Sequence, residues 1–293
     1  MTTGKLQRSF SRYNVRRGSL VSCLAAWAVL ATEASAQDRS WVLPGDVPSF
    51  ELPLASPRTS ALVGRVIHLS RGESRFGSEW EAEPALGEIL PLFALSRGAV
   101  PVAIHLGAEV YGRYSLKDRT SAQISTDWHV NLIATADLSR WRLALEAYHE
   151  SSHLGDEYGD RFNATRLDWS RGILGGWVGY VAGGLELRGN ASYAVLDELN
   201  LGRSALALAA DYRGRPRAFL GAPAQAVLAV YAEAQAYTDW RPTYSGRAGV
   251  RFAEGRSDRG MALLLTFLSG QSTQRQFYAR RSRYVGMEVR FDL

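Results

Sequence analysis

The feature that most constrains this chain is a two-residue alternation of apolar and polar side chains, repeated in short segments along most of the sequence. From Asp127 to Leu138 the even positions are Trp128, Val130, Leu132, Ala134, Ala136 and Leu138, whereas Asp127, His129, Asn131 and Thr135 stand among the odd ones. A β-strand sends successive side chains to opposite faces, so this segment reads as a strand with one greasy face and one polar face. Val102, Ile104, Leu106, Ala108 and Val110 oppose His105, Glu109, Tyr111 and Arg113 in the same way. Leu228, Val230, Ala232 and Ala234 oppose Tyr231, Glu233, Gln235 and Tyr237. At the C-terminus Val285, Met287, Val289, Phe291 and Leu293 oppose Tyr284, Glu288, Arg290 and Asp292, an apolar-ended last strand of the kind barrel-assembly machinery reads, although a final Phe would match better than Leu293.

Beyond the first 36 residues no stretch approaches the roughly 18 continuous apolar residues of a helical membrane span. The pattern therefore predicts an all-β fold, an antiparallel transmembrane β-barrel of about 12 strands. The expected strands are 60–70, 86–97, 101–115, 127–138, 141–153, 164–181, 185–195, 204–213, 224–238, 243–253, 260–268 and 283–291. Connectors alternate in length: tight at Gly98, Ser139-Arg140 and Gly183-Gly184, long at 71–85, 116–126, 154–163, 196–203 and 269–282. Residues 214–223 and the short connector 239–242 fit this alternation least well. Barrels of the bacterial outer membrane have short periplasmic turns and longer outer loops, so the asymmetry places both mature termini in the periplasm and 154–163 outside. Tyr114, Trp128, Trp141, Trp240, Phe267, Tyr284 and Phe291 lie near strand ends, where aromatic girdles belong. A soluble β-sandwich would also alternate, but its edges do not require such girdles.

Residues 1–36 read as a secretory signal peptide: Lys5, Arg8, Arg12, Arg16 and Arg17 precede an apolar run from Gly18 to Ala31, and Ala34-Ser35-Ala36 supplies a small-residue cleavage pattern. Cys23 sits too near the start of that run for a lipoprotein box, and the residues around Arg16-Arg17 match twin-arginine export poorly. Sec-type export to the outer membrane of a Gram-negative bacterium is the expectation. Residues 37–59, with Pro44, Pro48, Pro53 and Pro57, read as an extended periplasmic lead-in, and 60–293 as the barrel.

The 34 Lys plus Arg against 29 Asp plus Glu do not make this a nucleic-acid binder. Five basic groups and one acid lie in the signal, which leaves 29 against 28 in the mature chain. Cys23 is the single cysteine, so the mature chain has no disulfide, thiol nucleophile or thiolate metal site.

The run Tyr148-His149-Glu150-Ser151-Ser152-His153-Leu154-Gly155-Asp156-Glu157, with Asp239-Trp240-Arg241-Pro242, Gln276-Phe277-Tyr278 and Tyr284-Val285-Gly286, resembles the bacterial envelope family catalogued as domain of unknown function 1207. The resemblance implies an envelope protein and no established activity.

His149-Glu150-Ser151-Ser152-His153 spells H-E-x-x-H, which on a helix places two imidazoles on one face to hold zinc, with the glutamate as base. Yet Trp141, Leu143, Leu145 and Ala147 alternate with Arg142, Glu146, Tyr148 and Glu150, which points to a strand rather than to a zinc metalloprotease. On a strand His149, Ser151 and His153 share the apolar, lipid-side face. This is similar to the His-x-Ser pair of outer-membrane phospholipase A, and lipid A deacylases carry a His-x-Ser element too. Asn163 stands at the spacing of the phospholipase's orienting asparagine, and it shares the odd parity of Leu167 and Trp169. The phospholipase's Asn-Gly after the serine is replaced here by Ser152-His153-Leu154-Gly155, which puts its oxyanion and calcium arrangements in doubt.

The local likeness to the phospholipase implies a lipid acyl hydrolase in which His149 is the base, Ser151 the nucleophile and Asn163 the group that holds the imidazole. His153, Asp156 and Glu157 would bind a head group or a calcium ion. The partners expected are outer-membrane lipids or lipopolysaccharide and the barrel-assembly machinery, with no nucleic acid. Two non-enzymatic readings stand beside this one: a structural or lipid-binding barrel, and a narrow pore lined by His105, Glu109, Arg113, Asp127, His129, Asn131, Arg142, Glu146, Glu233 and Gln235. The interspersed signs of that inward set favour a salt-bridge plug over an open channel.

Overall fold

In lipid every backbone N–H and C=O must be satisfied within the protein, so alternating strands have one stable solution, closure into a barrel. The computed structural model describes residues 39–41, 50–59, 61–72, 74–76, 80–97, 100–117, 120–219, 221–252 and 260–292. The signal peptide, residues 42–49, the turn at Gly98 and Leu293 lie outside the described residues.

Twelve long antiparallel strands close on themselves. In chain order they are β2 (Leu62–Arg71), β3 (Trp80–Arg97), β4 (Val100–Ser115), β5 (Gln123–Leu138), β6 (Trp141–Leu154), β7 (Trp169–Ala182), β8 (Leu185–Asp197), β9 (Ser204–Arg213), β11 (Ala222–Gln235), β12 (Thr243–Phe252), β13 (Gly260–Gln271) and β14 (Arg281–Asp292). Two three-residue strands add to the sheet: β1 (Arg39–Trp41) pairs with β3, and β10 (Arg217–Phe219) folds back on the start of β11. That hairpin explains the misfit of 214–223. The barrel closes where β14 pairs with β2, Phe291 opposite Leu62 and Val285 opposite His68.

Burial follows the alternation. Leu132 and Val130 of β5 face outward, while Ile133, Asn131 and His129 between them are buried. Trp128, Trp141, Trp240, Phe267 and Phe291 are exposed toward the outside, but Tyr284 is buried and is therefore a lumen residue, not part of a girdle. Its parity, opposed to Val285, already placed it there.

Much of the lumen is occupied by charged side chains, with a cavity of about 360 Å³ left beside His105, Trp177, Arg188 and Asp211. Arg113 bridges Glu81 at 2.7 Å and Glu83 at 2.5 Å, Arg65 links Glu83 at 2.8 Å to Glu288 at 2.7 Å, and Arg247 reaches Glu288 at 2.8 Å. This chain of charges crosses the β14–β2 closure. A buried ion is tolerated only with such partners.

Residues 50–59 differ from the expected periplasmic lead-in, because they lie inside the barrel. Ala55 and Thr59 are buried, Leu54 N–H donates to Asp211 at 3.0 Å, Ser245 donates to the Ala55 carbonyl at 2.5 Å, and Arg247 donates to the carbonyls of Leu54 and Ser56. The lumen's inward carboxylates and arginines supply partners for an extended backbone, a reward that no reading of 50–59 in isolation could reveal. Arg142 keeps the expected inward parity at the end of β6: its side chain is 54% exposed at the lumen's mouth, where it pairs with Glu186 at 3.2 Å.

Candidate functional site

Strand β6 carries the H-E-S-S-H string, so its two faces have separate fates. Outward stand His149, Ser151 and His153; inward stand Tyr148, Glu150 and Ser152. A zinc grip is therefore unavailable, since Glu150 faces the lumen and both histidines face away from it. Among the described residues no cluster of three or more His, Cys, Asp or Glu could hold a metal ion.

The inward face is anchored. Glu150 accepts from Arg275 Nε and from Trp169 Nε1, both at 3.0 Å, and His129 lies 3.4 Å away. Arg275 and Gln276 belong to the β13–β14 connector, which dips into the barrel mouth; residues 272–277 are all buried. Gln276 donates to the carbonyls of Ser152 at 3.0 Å and Leu167 at 2.9 Å, and accepts the Leu167 N–H at 2.9 Å. Arg275 also donates to Tyr237 at 2.8 Å. Burial pushes the Tyr237 phenol above its ordinary pKa, against the pull of Arg275, so it stays neutral. Arg58 of the lumen segment reaches Asp127 at 2.5 Å and the Thr273 carbonyl, so the two plugging segments meet. The cavity around them measures about 80 Å³.

The outward face is set by register. Ser151 lies opposite Trp128 of β5 and Ser170 of β7, and His149 lies opposite Val130 and Gly172. Adjacent Cα atoms of a face sit about 6.6 Å apart along the strand, near enough for the imidazole and hydroxyl to lean together. No hydrogen bond joins the side chains of His149, Ser151 and Asn163 among the described residues. His149 is exposed and Ser151 half-buried beneath its neighbours.

Asn163 stands apart from the expected arrangement. Strand β7 begins at Trp169, not at 164, and Trp169 is buried in the lumen, so the odd parity used to place Asn163 on the lipid side leads inward. Asn163 instead ends helix α1 (Asp156–Phe162) in a left-handed conformation, φ 45° and ψ 49°, its N–H donating to the Gly159 carbonyl. Asparagine is suited to that stop signal. The helix anchors through Tyr158, which packs edge-on against Phe76 at 5.6 Å and Phe277 at 5.4 Å. Asp156 and Glu157 are exposed in its first turn, and Glu157 accepts the Gln123 N–H at 3.2 Å. His153 is exposed opposite Thr126.

Sequence reasoning missed Ser170 and Trp128 as neighbours of Ser151, because register across a hairpin was needed to find them. It also missed Arg275 and Gln276 as the groups that hold β6 from behind, although Gln276 stood among the residues carrying the family resemblance. Of the quoted segments, 276–278 reaches the others' end of the barrel through Tyr278, whose ring lies 5.3 Å from Trp169, the partner of Glu150, and 5.7 Å from Tyr237, just before 239–242.

The profile of the family described as a protein of unknown function (DUF1207) matches residues 7–293. The chain belongs to this family. No curated protein matches it in sequence. Among solved structures it is similar to the Salmonella typhi outer membrane phospholipase (OMPLA) dimer with bound calcium, at a TM-score of 0.58 and 13% identity, covering 85% of this chain and 95% of that one. It is similar also to an active-site asparagine mutant of outer membrane phospholipase A from Escherichia coli, at a TM-score of 0.56 and 14% identity over 84% and 93% of the two chains. LpxR from Salmonella typhimurium aligns at 0.35 and 11% identity over 80% and 100%, which carries no argument. At these identities the likeness establishes the barrel fold.

Proposed function

We propose that this family member resides in the outer membrane, exported by the signal in residues 1–36, and hydrolyses lipid esters at an outward site in which Ser151 is the nucleophile and His149 its base. The observation that carries the reading is the placement of both side chains on the outward surface of β6 beside Trp128, on a barrel whose lumen is largely occupied by residues 50–59 and 272–277. Chemistry at this wall can address only what the bilayer delivers. His149 would take the Ser151 proton as the hydroxyl attacks the ester carbonyl, forming an acyl-serine and releasing the alcohol; water, activated by the same imidazole, would then free the fatty acid. Ser170, directly across from Ser151, is placed to donate a hydrogen bond toward the developing oxyanion. Asn163 would reach the imidazole only after leaving its helix-ending role, and calcium, if used, would draw on His153, Asp156 and Glu157.

The second reading, a non-enzymatic structural or lipid-binding barrel, is favoured by one observation, the missing hydrogen bond between His149 and Ser151. Fatty-acid release from phospholipid and from lipid A in mixed micelles, with and without calcium, separates the two. Ser151→Ala and His149→Ala should each lower the rate at least a hundredfold while the barrel stays heat-modifiable. A wild-type barrel without esterase activity, or a Ser151→Ala variant that keeps it, leaves the structural reading standing.

A further inference from the structure

Nearly across the barrel from β6, strands β11 to β14 and β2 enclose an outward hollow of about 490 Å³, a volume typical of a small-molecule site. Its floor is β12, where Gly246 and Ala248 occupy the outward positions. Its walls are Leu228 and Val230 on one side and Leu265, Phe267, Val285 and Met287 on the other. A Cβ at 246 would come within 2.1 Å of the Phe267 ring that lies over Gly246, so a larger residue there would have to push the ring aside. His68 and Trp80, edge to face at 4.8 Å, stand at the end of the hollow nearest the long connectors.

Above that end, β14 continues its outward row of Val285 and Met287 with Arg283 and Arg281, both exposed, and Arg71 lies opposite Arg283 across the closure. Among the described residues none of these three arginines makes an ion pair. The lumen arginines Arg65, Arg113, Arg247 and Arg275 each lie within 3.0 Å of a carboxylate. A row of unneutralised guanidinium groups directly above a dry hollow is complementary to a lipid that bears phosphate on its head and acyl chains below, and guanidinium groups match phosphate bidentately.

We infer that this hollow binds a phosphorylated glycolipid of the lipid A class, with an acyl chain against Ala248 and the Phe267 ring that covers Gly246, and a phosphate on Arg281 and Arg283. The site lies on different strands from His149 and Ser151, and it does not depend on hydrolysis there.

The test uses the full mature barrel carrying Ser151→Ala, so that no ester is turned over, with native mass spectrometry after titration with lipid A in detergent. One lipid A per barrel is expected, with retention falling about tenfold in Arg281→Glu/Arg283→Glu, as for loss of charge-assisted hydrogen bonds. Ala248→Trp, which fills the hollow and leaves the arginines intact, should lower it comparably; both variants should remain heat-modifiable. Equal retention in all three proteins overturns the inference. So does equal retention of phosphatidylethanolamine or phosphatidylglycerol, which would mark ordinary annular lipid or any anionic lipid, and so does a lipid-free dimer that disappears in Ala248→Trp, which would make the hollow a protein interface.

Discussion

The two faces of β6 between Tyr148 and His153 carry similar residue types in opposite states. On the inner face Glu150 has three neighbouring groups and the Ser152 carbonyl accepts from Gln276, whereas on the outer face His149, Ser151 and His153 have no hydrogen bond to one another. Glu150 is buried, so leaving its charge unpaired would cost several kcal/mol, and the fold supplies a partner in Arg275. On the outer face the exposed His149 and His153 and the half-buried Ser151 stand without such a partner among the described residues. The difference teaches that the family-bearing string is two structures in one strand: an anchor within and a candidate reactive pair without.

The comparison breaks most visibly at Arg275. Arg275→Leu leaves Glu150 with only its neutral partners and His129, and should lower unfolding free energy by about 3–5 kcal/mol, read from urea titration of the refolded barrel in detergent. Adding Glu150→Gln should recover part of that loss; if Arg275→Leu alone is neutral, the inner face is not an electrostatic anchor. Next in size is the pair Ile133→Ala and Leu132→Ala, adjacent residues on opposite faces of β5. The first empties a fully buried site and should cost about 2–5 kcal/mol. The second exchanges a side chain that lipid can replace and should cost clearly less in the same titration, and equal costs would deny the inside–outside distinction.

The smallest effect is expected at Ser152, whose hydroxyl is buried without a hydrogen-bond partner among the described residues. Ser152→Ala should change stability by no more than about 0.5 kcal/mol and leave esterase turnover near the wild-type rate. A large loss of turnover in Ser152→Ala, with Ser151→Ala mild, would move any chemistry to the inner face.

Much of the fold was legible because side-chain parity is a local property. Strand β9 occupies 204–213 as expected, and the outward row of His149, Ser151 and His153 follows from counting by two from Trp141. Parity also assigned most of the inward set, including His129, Asn131 and Glu146. It failed at Asn163 because the count was carried through residues that are not strand: helix α1 and 164–168 intervene, and Trp169 turns inward to donate to Glu150. For Arg142 it held, with the side chain at the lumen's mouth beside Glu186.

The sequence by itself determined the closed, lipid-facing barrel, its strand spacing and the side of the wall on which each β6 residue stands, since alternation and the need to satisfy every backbone group leave few other solutions. Only the tertiary structure decided that residues 50–59 and the 272–277 connector lie within the lumen, that Gln276 and Arg275 hold β6, and that Gly246 and Ala248 open a hollow beneath Arg281 and Arg283. Those facts depend on register and on contacts between residues more than a hundred positions apart, such as Arg275 with Glu150 and Leu54 with Asp211, and no local pattern encodes them.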